Sequence, residues 1–156
     1  MHVKFVWVGK TRNEPIRSLI ADYLGRLRHM ISCEVIEIPD VGKRRALRRE
    51  SLIATEGEEI GKLLGERSVV VALDEKGRQF TSVDFAGWFE SEQNRGSREV
   101  VFVIGGPTGI SPEISDRARL VLSLSRMTWT HEMCRALLVE QVYRAFSILR
   151  KIPYHK

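Results

Sequence analysis

The chain has 156 residues, 43% hydrophobic and 29% charged, with 25 basic against 20 acidic side chains. That length suits one domain with a core large enough to need no disulfide or metal staple, and the composition excludes disordered, collagen-like and disulfide-scaffold classes. The net charge of +5 is unevenly spread: +5 over residues 1–50, −4 over 51–99 and +4 over 100–156. Two basic ends around an acidic middle are compatible with an ordinary solvated surface or with one polyanionic partner.

Val3 to Val8 is a short apolar run ended by Gly9, and it predicts a buried strand. Asn13 and Pro15 then suit a helix start, followed by an apolar face at Ile16, Leu19, Ile20, Tyr23, Leu24 and Leu27. Cys33 to Ile38 alternates as a half-exposed strand does. Helical spacing returns between residues 43 and 64, although Gly57 and Gly61 argue against an unbroken helix. Ser68 to Leu73 predicts a strand, Asp74 to Gly77 a turn, and Ser82 the cap of a helix carrying Phe85, Ala86 and Phe89 inward. Val100 to Ile104 is the most apolar strand. Ser111-Pro112-Glu113 starts a short helix, Leu120 to Leu124 is a further strand, and Met133 to Leu149 a terminal helix. This alternation predicts an α/β fold, a mostly parallel sheet with helices on both faces, in a single domain over residues 1–156.

Cys33 and Cys134 lie in no C-x-x-C pair, and His2, His29, His131 and His155 show no metal spacing, so no metal site is expected. His2 to Val8 lacks the form of a signal peptide, and no apolar run reaches the ~18 residues of a membrane span, which together lead to the expectation of a cytoplasmic protein without membrane contact.

In open α/β sheets ligands sit beyond the carboxyl ends of the strands. Three such ends carry unusual loops here: Leu73 to Gly77, Gly105 to Ile110, and Ser123 to His131. If their strands are neighbours, the loops converge. The glycine loop is neither G-x-G-x-x-G nor a P-loop, which speaks against a nicotinamide or nucleoside triphosphate site. It is equally compatible with a tight turn and with close backbone approach to a ligand. The 123–131 segment could cover the core with Met127 and Trp129 or hold a flat heterocycle on its backbone groups. Glu140 and Arg144 are spaced as an i,i+4 pair.

The ordered set Phe102-Val103-Ile104-Gly105-Gly106-Pro107-Thr108-Gly109-Ile110, Leu122-Ser123-Leu124-Ser125-Arg126-Met127-Thr128-Trp129, His131, Arg135, Glu140 to Phe146 and Pro153-Tyr154-His155-Lys156 closely resembles one family. It is the SPOUT-class ribosomal RNA large subunit methyltransferase H family, which methylates N3 of a pseudouridine. Val8-Gly9-Lys10, Glu37-Ile38-Pro39 and Leu73-Asp74 fit it too. The resemblance implies a C-terminal trefoil knot, S-adenosyl-L-methionine as cofactor, a homodimer, and large-subunit ribosomal RNA as substrate. It carries cofactor binding onto Leu73, Gly105, Leu124, Ser125, Arg126, Met127, Thr128 and Trp129. His155 and Glu140 become candidate bases for the imide proton, with Tyr154 and Arg144 orienting base or phosphate. Arg17, Lys43, Arg44, Arg45, Arg48 and Arg49 form the candidate RNA-facing set. The family often has proline where this chain has Thr130. A non-catalytic RNA-binding module of the same fold is the alternative.

Overall fold

The computed structural model describes residues 1–40 and 48–154. Among the described residues, five strands form one wholly parallel sheet: β1 (His2–Val8), β2 (Ser32–Ile38), β3 (Val69–Arg78), β4 (Glu99–Ile104) and β5 (Leu120–Leu122), in the order β2-β1-β4-β3-β5. Five helices of the described residues connect or follow them: α1 (Glu14–Arg28), α2 (Arg49–Lys62), α3 (Ser82–Asn94), α4 (Pro112–Arg117) and α5 (His131–Leu149).

Strand residues point alternately to opposite faces, and both faces are covered. Val3, Phe5, Trp7, Val69, Val71, Val100, Phe102 and Ile104 join one core with residues of α1, α3 and α5. Val6, Val8, Val70, Val101 and Val103 join a second core with Ile60 of α2 and Ile114 of α4. This explains the apolar runs Phe5 to Val8, Val69 to Ala72 and Val100 to Ile104: neither side of these segments meets water. Phe5 and Phe102 stack across neighbouring strands with ring centroids 5.7 Å apart. Helix α5 contacts both α1 and α3, so it carries apolar residues on more than one stripe.

The helix starts follow local chemistry. Asn13 Oδ1 accepts the Ile16 N–H at 3.1 Å, and Ser111 Oγ accepts the Ile114 N–H at 3.4 Å. At α3 the cap is Thr81 rather than the expected Ser82; its hydroxyl accepts the Asp84 N–H at 3.1 Å, and Ser82 instead donates to Gln141 of α5. Helix α2 runs unbroken through Gly57 and Gly61. Gly57 is there for space: a side chain would overlap Ser111 Oγ, and this packing outweighs the poor helix propensity of glycine.

The expected turn at Asp74 to Gly77 is an excursion within β3. Leu73 and Arg78 both register with Leu122 of β5, so residues 74–77 leave the ladder and the strand rejoins it. The rejoining is tight. A Cβ at Gly77 would lie 2.6 Å from the Leu122 carbonyl carbon and 2.7 Å from the Val121 carbonyl oxygen.

Candidate active site

Strands β4, β3 and β5 are consecutive in the sheet, so the three loops at their carboxyl ends share one rim. They enclose a cavity of about 510 Å³, within the range of small-molecule sites. The β3 excursion contributes Leu73, Asp74, Glu75 and Lys76; the glycine loop contributes Gly105 to Ile110; the last loop contributes Ser123, Leu124, Ser125, Met127, Thr128 and Trp129. His131 and Cys134 of α5 and Arg49 of α2 complete the wall.

Each loop is shaped by its own sequence. Lys76 N–H donates to Asp74 Oδ1 at 2.8 Å, closing a small turn. Gly109 N–H donates to the Gly106 carbonyl at 3.0 Å, and Gly109 takes φ +95°, a left-handed conformation suited to glycine. A side chain on Gly105 would overlap the Gly109 carbonyl. In the third loop Ser123 Oγ donates to the Ser125 carbonyl at 2.9 Å, and Ser125 Oγ accepts the Met127 N–H at 2.9 Å. Thr130 caps α5 by accepting the Met133 N–H at 3.3 Å. The threonine thus fixes the loop end.

Seven of the eight residues expected to bind cofactor line this cavity: Leu73, Gly105, Leu124, Ser125, Met127, Thr128 and Trp129. Arg126 belongs to the same loop but its exposed side chain is not part of the wall. Met127 and Trp129 are 71% and 40% exposed, so they are not the core covers that their apolar chemistry also allowed. Thr108 Oγ1 is buried without a hydrogen-bond partner among the described residues. His131 stands at the mouth; desolvation by the surrounding wall, then the Arg135 charge, push its pKa below the ordinary histidine value. Arg49 and Cys134 had no sequence signal as wall residues; a basic residue in a basic run and a cysteine in a helical pattern look alike wherever they point.

The other candidate group lies apart from the cavity. Arg144 donates to Glu140 Oε1 from Nε at 2.9 Å and from Nη2 at 2.7 Å. Tyr154 donates to the same oxygen at 3.2 Å, and its hydroxyl is 2.9 Å from that of Tyr23 on α1. The Arg144 guanidinium lies 4.7 Å from the centre of the Tyr154 ring. Gln141 Nε2 donates to Glu140 Oε2 at 2.7 Å, so both carboxylate oxygens are engaged. Burial, the Tyr23 hydrogen bond and the Glu140 charge all raise the Tyr154 pKa well above the ordinary phenol value. Tyr154 is therefore a donor at neutral pH and not a base. None of Glu140, Arg144 and Tyr154 lines the cavity. Helix rise puts Glu140 roughly 9 Å along α5 from Cys134, beyond the ~3 Å reach of proton transfer. His155 and the basic residues Lys43, Arg44 and Arg45 lie outside the described residues; Arg48 is exposed, and Arg17 pairs with Glu14.

Among the described residues no group of His, Cys, Asp and Glu is arranged to hold a metal, and no helix is long and apolar enough to cross a membrane. The family model described as predicted SPOUT methyltransferase matches residues 1–155. The chain belongs to the SPOUT methyltransferase family. Curated relatives of this SPOUT chain include ribosomal RNA large subunit methyltransferase H of Christiangramia forsetii, 42% identical over 155 residues and 99% of each chain. The protein of the same name from Phocaeicola vulgatus is 43% identical over 148 residues, 95% of this chain and 94% of that one. Among solved structures, a probable methylase family protein from Haemophilus influenzae Rd KW20 superimposes with a TM-score of 0.53 at 14% identity, covering 99% of this SPOUT chain and 70% of the other. That likeness concerns the fold.

Proposed function

We infer that the protein transfers a methyl group from S-adenosyl-L-methionine to large-subunit ribosomal RNA, and we propose N3 of a pseudouridine as the acceptor. The observation that carries this reading is the convergence of three strand-end loops on one cavity, in a chain about 40% identical over nearly its whole length to proteins named ribosomal RNA large subunit methyltransferase H. The residues present fit the cofactor. Leu73, Leu124, Met127 and Trp129 offer apolar surface for a flat base. Gly105 permits close backbone approach, Thr108 Oγ1 is a buried polar group without a protein partner among the described residues, and Asp74 and Glu75 place negative charge beside a cationic ligand. When bound, S-adenosyl-L-methionine supplies an already activated methyl group, so the reaction requires no metal.

The work left to the protein is alignment, which can lower a barrier by ~7–11 kcal/mol, and removal of the imide proton. Tyr154 remains protonated and Glu140 is fully engaged, so both act in orientation, and His155 is the residue we assign as base. Within one protomer Glu140, Arg144 and Tyr154 lie outside the cavity wall. We therefore propose a homodimer in which the C-terminal region of one copy meets the cavity of the other, on the trefoil-knotted form of the fold and in the cytoplasm where ribosomes are assembled. The basic residues 43–45, with Arg48 and Arg49, would hold RNA phosphates while the target base is presented to the cavity.

Calorimetry with S-adenosylhomocysteine separates this reading from a non-catalytic RNA-binding module. Micromolar or tighter binding supports the methyltransferase; no binding, alone or with ribosomes, supports the module. A His155→Ala variant should keep cofactor affinity and lose methylation, whereas a full methylation rate would remove His155 from the chemistry. Neutralising Lys43, Arg44 and Arg45 should flatten the salt dependence of ribosome binding, and an unchanged slope would leave that run as solvated surface.

A further inference from the structure

Glu56 is 2% exposed, and neither carboxylate oxygen has a hydrogen-bond partner among the described residues. A buried carboxylate without a donor is costly, so such a group calls for a reason. It lies on α2, directly behind the glycine loop and outside the cavity wall. A Cβ at Gly106 would sit 2.8 Å from its Oε2 and 3.1 Å from its Oε1. The next residue, Gly57, packs without a side chain under Ser111, just past the other end of the loop. One turn of α2 thus presses on both ends of the segment that lines the cavity from the far side.

The Gly106 N–H faces the Glu56 carboxylate but stops short of hydrogen-bond geometry. A trans peptide points its N–H and its carbonyl in opposite directions. Holding the Gly106 N–H on the α2 side therefore turns the Gly105 carbonyl away from α2. We propose that Glu56 is a positioning residue that accepts the Gly106 N–H when cofactor binds, fixing the 105–106 peptide so that the Gly105 carbonyl is presented to a donor group of the cofactor. The assignment rests on the methyltransferase reading above and adds to it a residue that touches neither cofactor nor RNA. Burial, followed by the charge of Asp40, raises the Glu56 pKa, while the Gly106 N–H opposes the shift. Closing that hydrogen bond would relieve the buried carboxylate.

A purely structural role and a positioning role predict opposite outcomes for Glu56→Leu. Leucine fills similar volume and removes an unpartnered buried carboxylate, so the ligand-free variant should melt no lower than the wild type. Its S-adenosylhomocysteine affinity should nevertheless fall by about tenfold or more, and its KM for S-adenosyl-L-methionine should rise while kcat at saturating cofactor holds. Glu56→Gln keeps an acceptor oxygen and should bind within about threefold of wild type. Wild-type affinity in Glu56→Leu overturns the proposal, as does a loss of affinity that Glu56→Gln shares in full. Should Glu56→Leu not fold, the amide signal of Gly106 in the wild type decides. On adding S-adenosylhomocysteine it should move downfield and exchange more slowly with solvent, and an unmoved signal overturns the proposal. A wild-type protein that does not bind S-adenosylhomocysteine at all would instead remove the methyltransferase reading itself.

Discussion

The buried guanidinium of Arg135, 3% exposed, donates to the Val8 carbonyl at 2.6 Å and so ties the start of α5 to the end of β1. It also donates to Thr11 Oγ1 at 2.9 Å and lies 5.3 Å from the centre of the Trp7 ring. Arg135 is one turn beyond His131, so this tie fixes the wall of the cavity from behind. Arg135→Leu strands the Val8 carbonyl and the Thr11 hydroxyl. It should cost about 3 kcal/mol, a fall of roughly 10 °C in melting temperature at fixed protomer concentration. A loss of less than about 1 kcal/mol would show that the guanidinium is dispensable.

Glu132, in the same turn, reaches the same loop. Its Oε1 accepts the Arg12 N–H at 2.8 Å and its Oε2 accepts the Asn13 N–H at 2.9 Å. Those two backbone donors hold its pKa below the ordinary carboxylate value. A depressed folded-state pKa contributes stability that is present above the unfolded value, about 4.3, and is lost as pH falls through the folded value. Glu132→Gln should therefore be less stable than wild type by about 1 kcal/mol at pH 7. The two proteins should converge as pH falls below about 4. A difference that persists unchanged to pH 3 would contradict the assignment.

Gly77 marks the point where β3 rejoins the sheet against the backbone of β5. Gly77→Ala has no flexible side chain to displace, only the Val121 and Leu122 carbonyls. Overpacking of this kind should cost about 2–3 kcal/mol and shift the Ser123–Thr130 loop, weakening S-adenosylhomocysteine binding in calorimetry. Wild-type stability and affinity together would mean that the two strands separate freely.

Tyr154→Phe removes the hydroxyl shared by Tyr23 and Glu140 but nothing from the cavity wall. Cofactor affinity should stay within about twofold of wild type, while methylation at saturating cofactor falls about tenfold through lost orientation. Spectrophotometric titration should lose a tyrosine that ionises above the ordinary phenol range. A parallel loss of cofactor affinity would place Tyr154 in the cofactor site instead.

Much of this was legible in the residue order. The strands Val3 to Val8 and Val100 to Ile104 announce themselves because both of their faces are buried, and the three strand-end loops are unusual in composition. Their convergence was conditional on strand order, which no local pattern encodes. The excursion of Asp74 to Gly77 reads as a plain turn, since only the pairing of both Leu73 and Arg78 with Leu122 reveals that the strand resumes. Glu56 stands beside Glu58 and Glu59 and looks like one more solvated carboxylate, although it alone of the three is buried. Arg135 and the meeting of Tyr23 with Tyr154, 131 positions apart, depend on how α5 lies against β1 and α1. Such long-range contacts leave no periodic trace in the sequence.

The activity at issue is methyl transfer to large-subunit ribosomal RNA. Mass spectrometry of ribosomal RNA from cells lacking this protein tests it most directly, followed by incubation of those ribosomes with purified protein and S-adenosyl-L-methionine. One methyl group should be missing from one pseudouridine of the large-subunit RNA and be restored by the protein. An identical methylation pattern in the presence and absence of the protein would contradict it.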